Sequence, residues 1–457
     1  MVIDPAIFRD YDIRAVVPDQ LDEEGIRRIA QAIVYRFNPS SIQVGRDMRV
    51  SSPTLHRAFI DALVDCGVNV VDLGLTSTDM LYFAAGTYPE DMAITVSASH
   101  NPPQYNGLKM VKRHAVAISG DSGIYDIRDL SISKKTLVKP SNIRATVRRR
   151  SIMVPWMKHL MSFFDRRKMK AFNVVVDAGN GMAGHFMPSL EKHLPWKVTR
   201  LFYKLDGTFP NHVPSPIEPK NMQDLIKKVN MVKADVGMAF DGDGDRVFLV
   251  DENGKIISGT IMTAIIAENL LSKTKGETIL YNAIVGRVVP EVIKRMGGKS
   301  KRVRVGHTLI KEAMRRDNAL FCGEHSGHYY FRDNFFADSA IIAALLVVEL
   351  MSAKGKKLSE LASQYDTYPS SGEINFQVAD KQAVMKNIER MFTKTARSTD
   401  WLDGVSVWFD DWWFNVRPSN TEPLLRLNVE ADNEPLLRDH TDEIVDTLKE
   451  LGAKEIE

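Results

Sequence analysis

Two cysteines, Cys66 and Cys322, are too few for a disulfide framework, and neither belongs to a paired spacing that would hold zinc. No apolar run approaches the about 18 residues that cross a membrane. Residues 1–5 also lack the basic-then-apolar pattern of a signal peptide. An excess of one charge is missing as well. The 60 lysines and arginines meet 58 aspartates and glutamates, a net charge of +2, so no global field recruits nucleic acid or an anionic membrane. The expectation is a cytoplasmic protein with neither of those partners, as a monomer or weak dimer.

What is present suits a globular chain. With 44% hydrophobic and 26% charged residues over 457 positions, there is length for roughly three or four domains. Ile26, Ile29, Ala30 and Ile33 predict a helix near residues 22–37, and a short strand then ends in Gly45-Arg46-Asp47. Ser51-Ser52-Pro53 opens a helix to about Cys66, strand 68–73 follows, and an apolar run at 92–94 ends another strand. Strands alternating with helices predict βαβ units and a largely parallel sheet. The pattern loosens over 130–150, where the basic run Arg148-Arg149-Arg150 reads as a solvated linker face.

A second cycle starts at 173–181, a buried strand spilling into a glycine turn that is either an anion site or merely steric. A third carries a helix near 260–271, strands 278–282 and 302–305, and an apolar core helix at 340–350. From about Ser370 the order changes to α+β with the hairpin 405–409/412–416. The expected fold class is α/β: three similar α/β domains with mixed sheets plus a smaller C-terminal α+β domain around a central cleft. The expected boundaries are 1–147, 148–252, 253–367 and 368–457.

Four stretches carry chemistry. Thr95-Val-Ser-Ala-Ser-His-Asn-Pro102 places Ser99 and His100 at a strand-to-loop mouth, where α/β proteins bind ligands. The break at Asn101-Pro102 follows from the restricted backbone before and at proline. A serine there is a nucleophile or phosphate carrier if it is activated and its charge neutralised. Asp241-Gly-Asp-Gly-Asp-Arg246 is an acidic loop that would repel itself if bare, and its all-oxygen donors favour Mg²⁺ or Ca²⁺ over zinc. Asp241, Asp243, Asp245 and Glu252 match EF-hand positions 1, 3, 5 and 12, but Arg246 replaces the obligatory glycine and the flanks read as strands. Glu324 and Ser326, two apart in an extended loop, would face one way and hold neighbouring sugar hydroxyls. Arg417-Pro-Ser-Asn-Thr-Glu-Pro423 gathers one cation and three donor side chains, which is phosphate-clamp chemistry.

In that order and spacing the four stretches resemble the α-D-phosphohexomutase superfamily over essentially the whole chain, and the run 102–109 is similar to its phosphomannomutase/phosphoglucomutase branch. The resemblance implies that Ser99 carries a phosphoryl group and binds Mg²⁺ together with Asp241, Asp243 and Asp245. It implies that His100, Lys109 and Arg246 contact the transferring group. Glu324 and Ser326 would bind the sugar, and Arg417, Ser419, Asn420 and Thr421 its other phosphate, while Tyr11, Arg14, His307 and His328 line the cleft. The implied reaction moves phosphate between the two ends of a hexose phosphate through a hexose 1,6-bisphosphate. A phosphoglucomutase, a phosphoglucosamine mutase and a non-catalytic sugar-phosphate binder are the alternatives. One departure is Ile284, with Arg287 nearby, where relatives often carry a lysine; it leaves the general base open, with His307 a candidate.

Overall fold

A computed structural model describes residues 3–133, 135–137, 145–419 and 424–456. Local signals set the first elements. Asp22 caps the helix Glu23–Phe37 by accepting from the Gly25 N–H at 2.7 Å, and that helix buries the expected apolar face.

Four sheets form, and the first three repeat one order. In the first, the central strand Ser41–Arg46 lies parallel to Asn69–Leu75 on one side and Met92–Val96 on the other. The strand Tyr105–Lys112 then runs antiparallel beside Met92–Val96. In the second, Asn173–Asp177 lies between Lys197–Leu201 and Val236–Phe240, with Val247–Asp251 antiparallel. In the third, Thr278–Asn282 lies between Lys299–Val303 and Phe321–Gly323, with Tyr329–Phe331 antiparallel. The loops 97–104, 241–246 and 324–328 therefore connect equivalent strand pairs in three copies of one topology. The fourth sheet is antiparallel throughout, and its strands Trp412–Pro418 and Leu424–Ala431 flank the fourth loop.

The helix Ala340–Lys354 is apolar on every side and buried from Ala340 to Ser352, which is why its sequence shows no amphipathic stripe. It joins one large core that runs through the first three units. The fourth unit has its own core around Phe376, Phe414 and Leu427 and docks through ion pairs, including Arg302–Asp400 at 2.9 Å.

The run 148–150 is solvated at Arg148 and Arg149 as expected, but it is not a linker. Val147–Arg149 pairs parallel with Asn69–Leu75 as an edge strand, and Arg148 and Arg150 both reach the buried Glu90 at 2.8 Å. A buried carboxylate needs cationic partners, and that need orders the segment. The glycine turn before Ala183 proves steric. A β-carbon on Gly181 would lie 2.6 Å from the Gly242 carbonyl, and the Asp177 carboxylate is occupied by the Gly179 N–H and His212. No helix among the described residues is long and apolar enough to cross a membrane.

Candidate active site

Ser99 sits just past the end of its strand with φ +50°, a left-handed conformation that costs energy outside glycine and asparagine. Two backbone contacts hold it there. Its N–H donates to Ser97 Oγ at 3.1 Å, and its carbonyl accepts from Arg49 Nη2 at 2.7 Å. Arg49, fully buried, also donates to the carbonyls of Pro102 and Tyr105 at 2.8 and 2.9 Å, so one guanidinium staples the whole loop. The motif analysis missed Arg49. Its only sequence signal is its place between Gly45-Arg46-Asp47 and Ser51-Ser52-Pro53.

The Ser99 hydroxyl donates to Asp241 Oδ2 at 2.9 Å and lies 3.1 Å from His100 Nδ1. The acidic loop wraps around the other Asp241 oxygen, Oδ1, which accepts the N–H groups of Gly244, Asp245 and Arg246 at 3.1–3.2 Å. Lys109, on the strand antiparallel to the one before Ser99, reaches Asp243 at 2.6 Å and Asp245 at 2.7 Å. Arg246 Nε lies 3.3 Å from Asp241, and its Nη2 meets the His100 ring. Thr78, another residue without a motif, donates to Asp243.

The titration behaviour follows from this charge arrangement. Burial and the neighbouring Asp245 and Asp243 push the Asp241 carboxyl well above the ordinary range. Burial acts on Asp243 in the same sense, but Lys109, Ser99 and Thr78 outweigh it and hold that carboxyl low. Burial, reinforced by Arg246 and Arg14, keeps His100 neutral.

With all three carboxyls ionised the cluster would carry one unit of negative charge beyond its two cations, and the Asp241 carboxyl, raised by burial and by its neighbours, reports that unrelieved repulsion. Asp243 Oδ1 and Asp245 Oδ1 are buried oxygens without a hydrogen-bond partner among the described residues. Donor atoms of the three aspartates lie within 4.8 Å of one another. Hard oxygen donors with residual negative charge fit a divalent cation such as Mg²⁺.

Around this centre stand residues of the other units. Arg14 donates to Asp12 at 2.9 Å and to Asn101. The Tyr11 ring packs edge-on against His307 with centroids 5.0 Å apart, and burial raises its hydroxyl to about 12. Burial and the Lys311 charge hold His307 neutral, and its Nδ1 has no hydrogen-bond partner among the described residues. His328, pushed down to about 3 by burial and Arg246, spans Asp245 and Glu324 at 3.6 Å each.

The turn 324–328 is tighter than the extended loop expected from its sequence, closed by the Glu324 N–H to the His328 carbonyl at 3.0 Å. Glu324 accepts from the Tyr330 hydroxyl at 2.5 Å, and Ser326 Oγ lies 3.0 Å from His328 Nδ1. Arg417 is buried and paired with Glu373 at 2.8 Å, and Ser419 is buried beside it in the chain. Asn420 and Thr421 lie outside the described residues. Ile284 is buried, and Arg287 is turned away to Glu430 at 2.9 Å, so neither supplies a free cation to the cluster.

A serine hydroxyl, a carboxylate triad and paired cations, borne on topologically equivalent loops, define an enzyme of the phosphoryl-transfer class. Comparison with known proteins narrows that class. Four models described as phosphoglucomutase/phosphomannomutase match in order: alpha/beta/alpha domain I over 5–132, domain II over 155–254, domain III over 258–368 and the C-terminal domain over 373–447. A relative from Xanthomonas campestris pv. campestris named phosphohexose mutases is 38% identical over 445 residues, covering 97% of this chain and 99% of its own. A phosphomannomutase of Vibrio cholerae is 37% identical over 457 residues, covering 97% and 98%. The crystal structure of a phosphoglucomutase/phosphomannomutase family protein from Burkholderia thailandensis superposes with a TM-score of 0.91 at 31% identity, covering 99% of each chain. The chain belongs to the phosphoglucomutase/phosphomannomutase family, and it is an isomerase that moves a phosphoryl group.

Proposed function

We propose that the protein is a phosphomannomutase that interconverts mannose 6-phosphate and mannose 1-phosphate through phosphorylated Ser99 and a hexose 1,6-bisphosphate, with glucose phosphates as a second substrate pair. One observation carries the mechanism: the Ser99 hydroxyl lies 2.9 Å from Asp241, within a cluster that also holds Lys109, Arg246 and His100. Relatives at 35–38% identity named phosphomannomutase support the choice of sugar.

In this reading a hydroxyl of the bound sugar attacks the phosphorus carried by Ser99. A new O–P bond forms, the bond to Ser99 Oγ breaks, and the hydroxyl proton passes to a base, for which His307, whose Nδ1 has no hydrogen-bond partner among the described residues, is the candidate. The cations Lys109 and Arg246 offset the negative charge spread over the transferring group. Asp241, Asp243 and Asp245, with a phosphate oxygen on Ser99, would hold Mg²⁺. The ion supplies charge neutralisation at the phosphoryl oxygens when bound. Tyr11, Arg14 and His328 line the pocket. Glu324 and Ser326 orient sugar hydroxyls, and Arg417 and Ser419, with Asn420 and Thr421, take the non-reacting phosphate. The bisphosphate then turns end for end and returns its other phosphate to Ser99. The enzyme is cytoplasmic and a monomer or weak dimer. It divides near the expected boundaries, at 367/368 but just after the edge strand Val147–Arg149 of the first sheet rather than at 147/148, and after the strand Ile256–Ile257 of the second sheet rather than at 252/253.

The test is a Mg²⁺-dependent mutase assay on mannose 1-phosphate and glucose 1-phosphate, primed with a trace of hexose 1,6-bisphosphate. Wild type and Ser99→Ala are run together, with intact-mass spectrometry for a phosphoryl group on the protein. Turnover that collapses in the variant, with the phosphoryl group confined to wild type, is expected. Equal turnover in both would refute the phosphoserine mechanism, and the rate ratio of the two sugars assigns the preferred substrate.

A further inference from the structure

Arg417 and Arg426 stand directly opposite each other on neighbouring antiparallel strands. Like charges in that register disfavour the pairing, and Arg417, 1% exposed, has little water to screen it. One carboxylate answers both. Glu373 lies on Ser370–Gln377, the strand that flanks Leu424–Ala431 on its other side. Its Oε2 accepts from Arg417 Nη2 at 2.8 Å, and its Oε1 pairs with Arg426 Nη1 at 3.2 Å.

Glu373 also reaches the third unit. Its Oε2 is 3.8 Å from His325 Nε2, and His325 Nδ1 meets the Asn282 side-chain amide at 3.1 Å. With Nδ1 accepting from that amide, the ring proton sits on Nε2 and faces the carboxylate. Burial, Arg417 and Arg426 keep the ring neutral, so it adds no third positive charge.

An anionic side chain inside a phosphate clamp opposes the ligand's own charge. A glutamine would avoid that opposition but could accept from only one of the two guanidiniums, because its amide nitrogen is a donor, so a carboxylate is what serves both. We infer that Glu373 sets the strength of the clamp: it holds Arg417 and Arg426 in binding geometry while leaving the three groups with one net positive charge rather than two. This rests on the mutase reading above, in which the bisphosphate must leave the clamp and re-enter with its other end. Binding that is equally tight before and during the chemical step lowers KM without raising kcat, and it slows release.

Glu373→Gln and Glu373→Asp are compared with wild type as full-length proteins. Calorimetric titrations use mannose 1-phosphate and inorganic phosphate, and steady-state kinetics are measured in parallel. Glu373→Gln is expected to bind both ligands several-fold tighter and to lower KM and kcat together, while Glu373→Asp stays near wild type. Weaker binding, or a raised KM with kcat unchanged, would overturn the inference and leave Glu373 as a mere support. If Glu373→Gln fails to fold, Arg426→Gln decides. It removes one positive charge and should weaken phosphate binding, whereas tighter binding overturns the inference. A wild type that turns over no hexose phosphate refutes the mutase reading, while the inorganic phosphate titrations still decide the role of Glu373.

Discussion

Gly242 packs against Ser99 so closely that a β-carbon on it would lie 2.4 Å from the Ser99 carbonyl oxygen. The loops of the first and second units thus meet backbone to backbone, and the Ser99–Asp241 hydrogen bond at 2.9 Å depends on that approach.

Gly242→Ala should force the two loops apart. A displacement of about 1 Å at a reacting group lowers kcat on the order of 100-fold. The fold should survive, because the rest of each loop is anchored separately, by Arg49 and by the N–H groups on Asp241. Steady-state kinetics with a thermal melt check this; unchanged kcat would show that the close approach does not set the geometry.

Arg49→Lys probes the staple. A lysine cannot reproduce a planar fork that serves the Ser99, Pro102 and Tyr105 carbonyls at once. Buried carbonyls left unpaired cost about 1–3 kcal/mol each, so a drop in melting temperature is expected together with a lower kcat. A variant with wild-type stability and rate would remove Arg49 from the positioning role.

Lys109→Met leaves Asp243 and Asp245 without their shared cation. Breaking a buried ion pair costs about 3–5 kcal/mol, and losing a positive charge at the transferring group lowers kcat by about 10²–10³-fold. Added Mg²⁺ should raise the melting temperature of the variant more than that of wild type, because the loop then carries an uncompensated charge. Equal shifts in scanning calorimetry would refute that electrostatic account.

Asp79 gives a pH test away from the chemistry. Burial raises its carboxyl to about 7, while Ser339 donates to it at 2.6 Å. An unfolded aspartate titrates near 3.9, so between about pH 4 and pH 7 the folded state holds a proton that the unfolded state has lost. The stability contributed by that proton is fully present below about pH 4. It is lost as pH rises toward about 7, by up to ~4 kcal/mol. Asp79→Asn, which keeps an acceptor for Ser339, should flatten this slope and be the more stable protein at pH 8. Parallel melting curves for the two proteins from pH 5 to pH 8 would contradict it.

The chain by itself determined the family, the three-plus-one architecture and the four loops. The signals are local: an apolar strand, then a break made by proline or glycine, then polar residues of one chemical kind. Asp241 to Arg246 and Arg417 to Pro423 are legible because their chemistry is contiguous in sequence. Only the tertiary structure decided which residues serve those loops from a distance. Arg49 and Thr78 have no motif, since their role lies in which carbonyl or carboxylate the fold sets opposite them. The basic run 148–150 turned out to pair with a sheet edge because Glu90, almost 60 residues earlier, is buried beside it. Glu373 reads as an ordinary strand residue until the register sets Arg417 against Arg426. Hydrophobic period and turn chemistry act over a few residues and so are written in the sequence. The balance of buried charge is a sum over groups hundreds of residues apart, and it exists only once the sheets have packed.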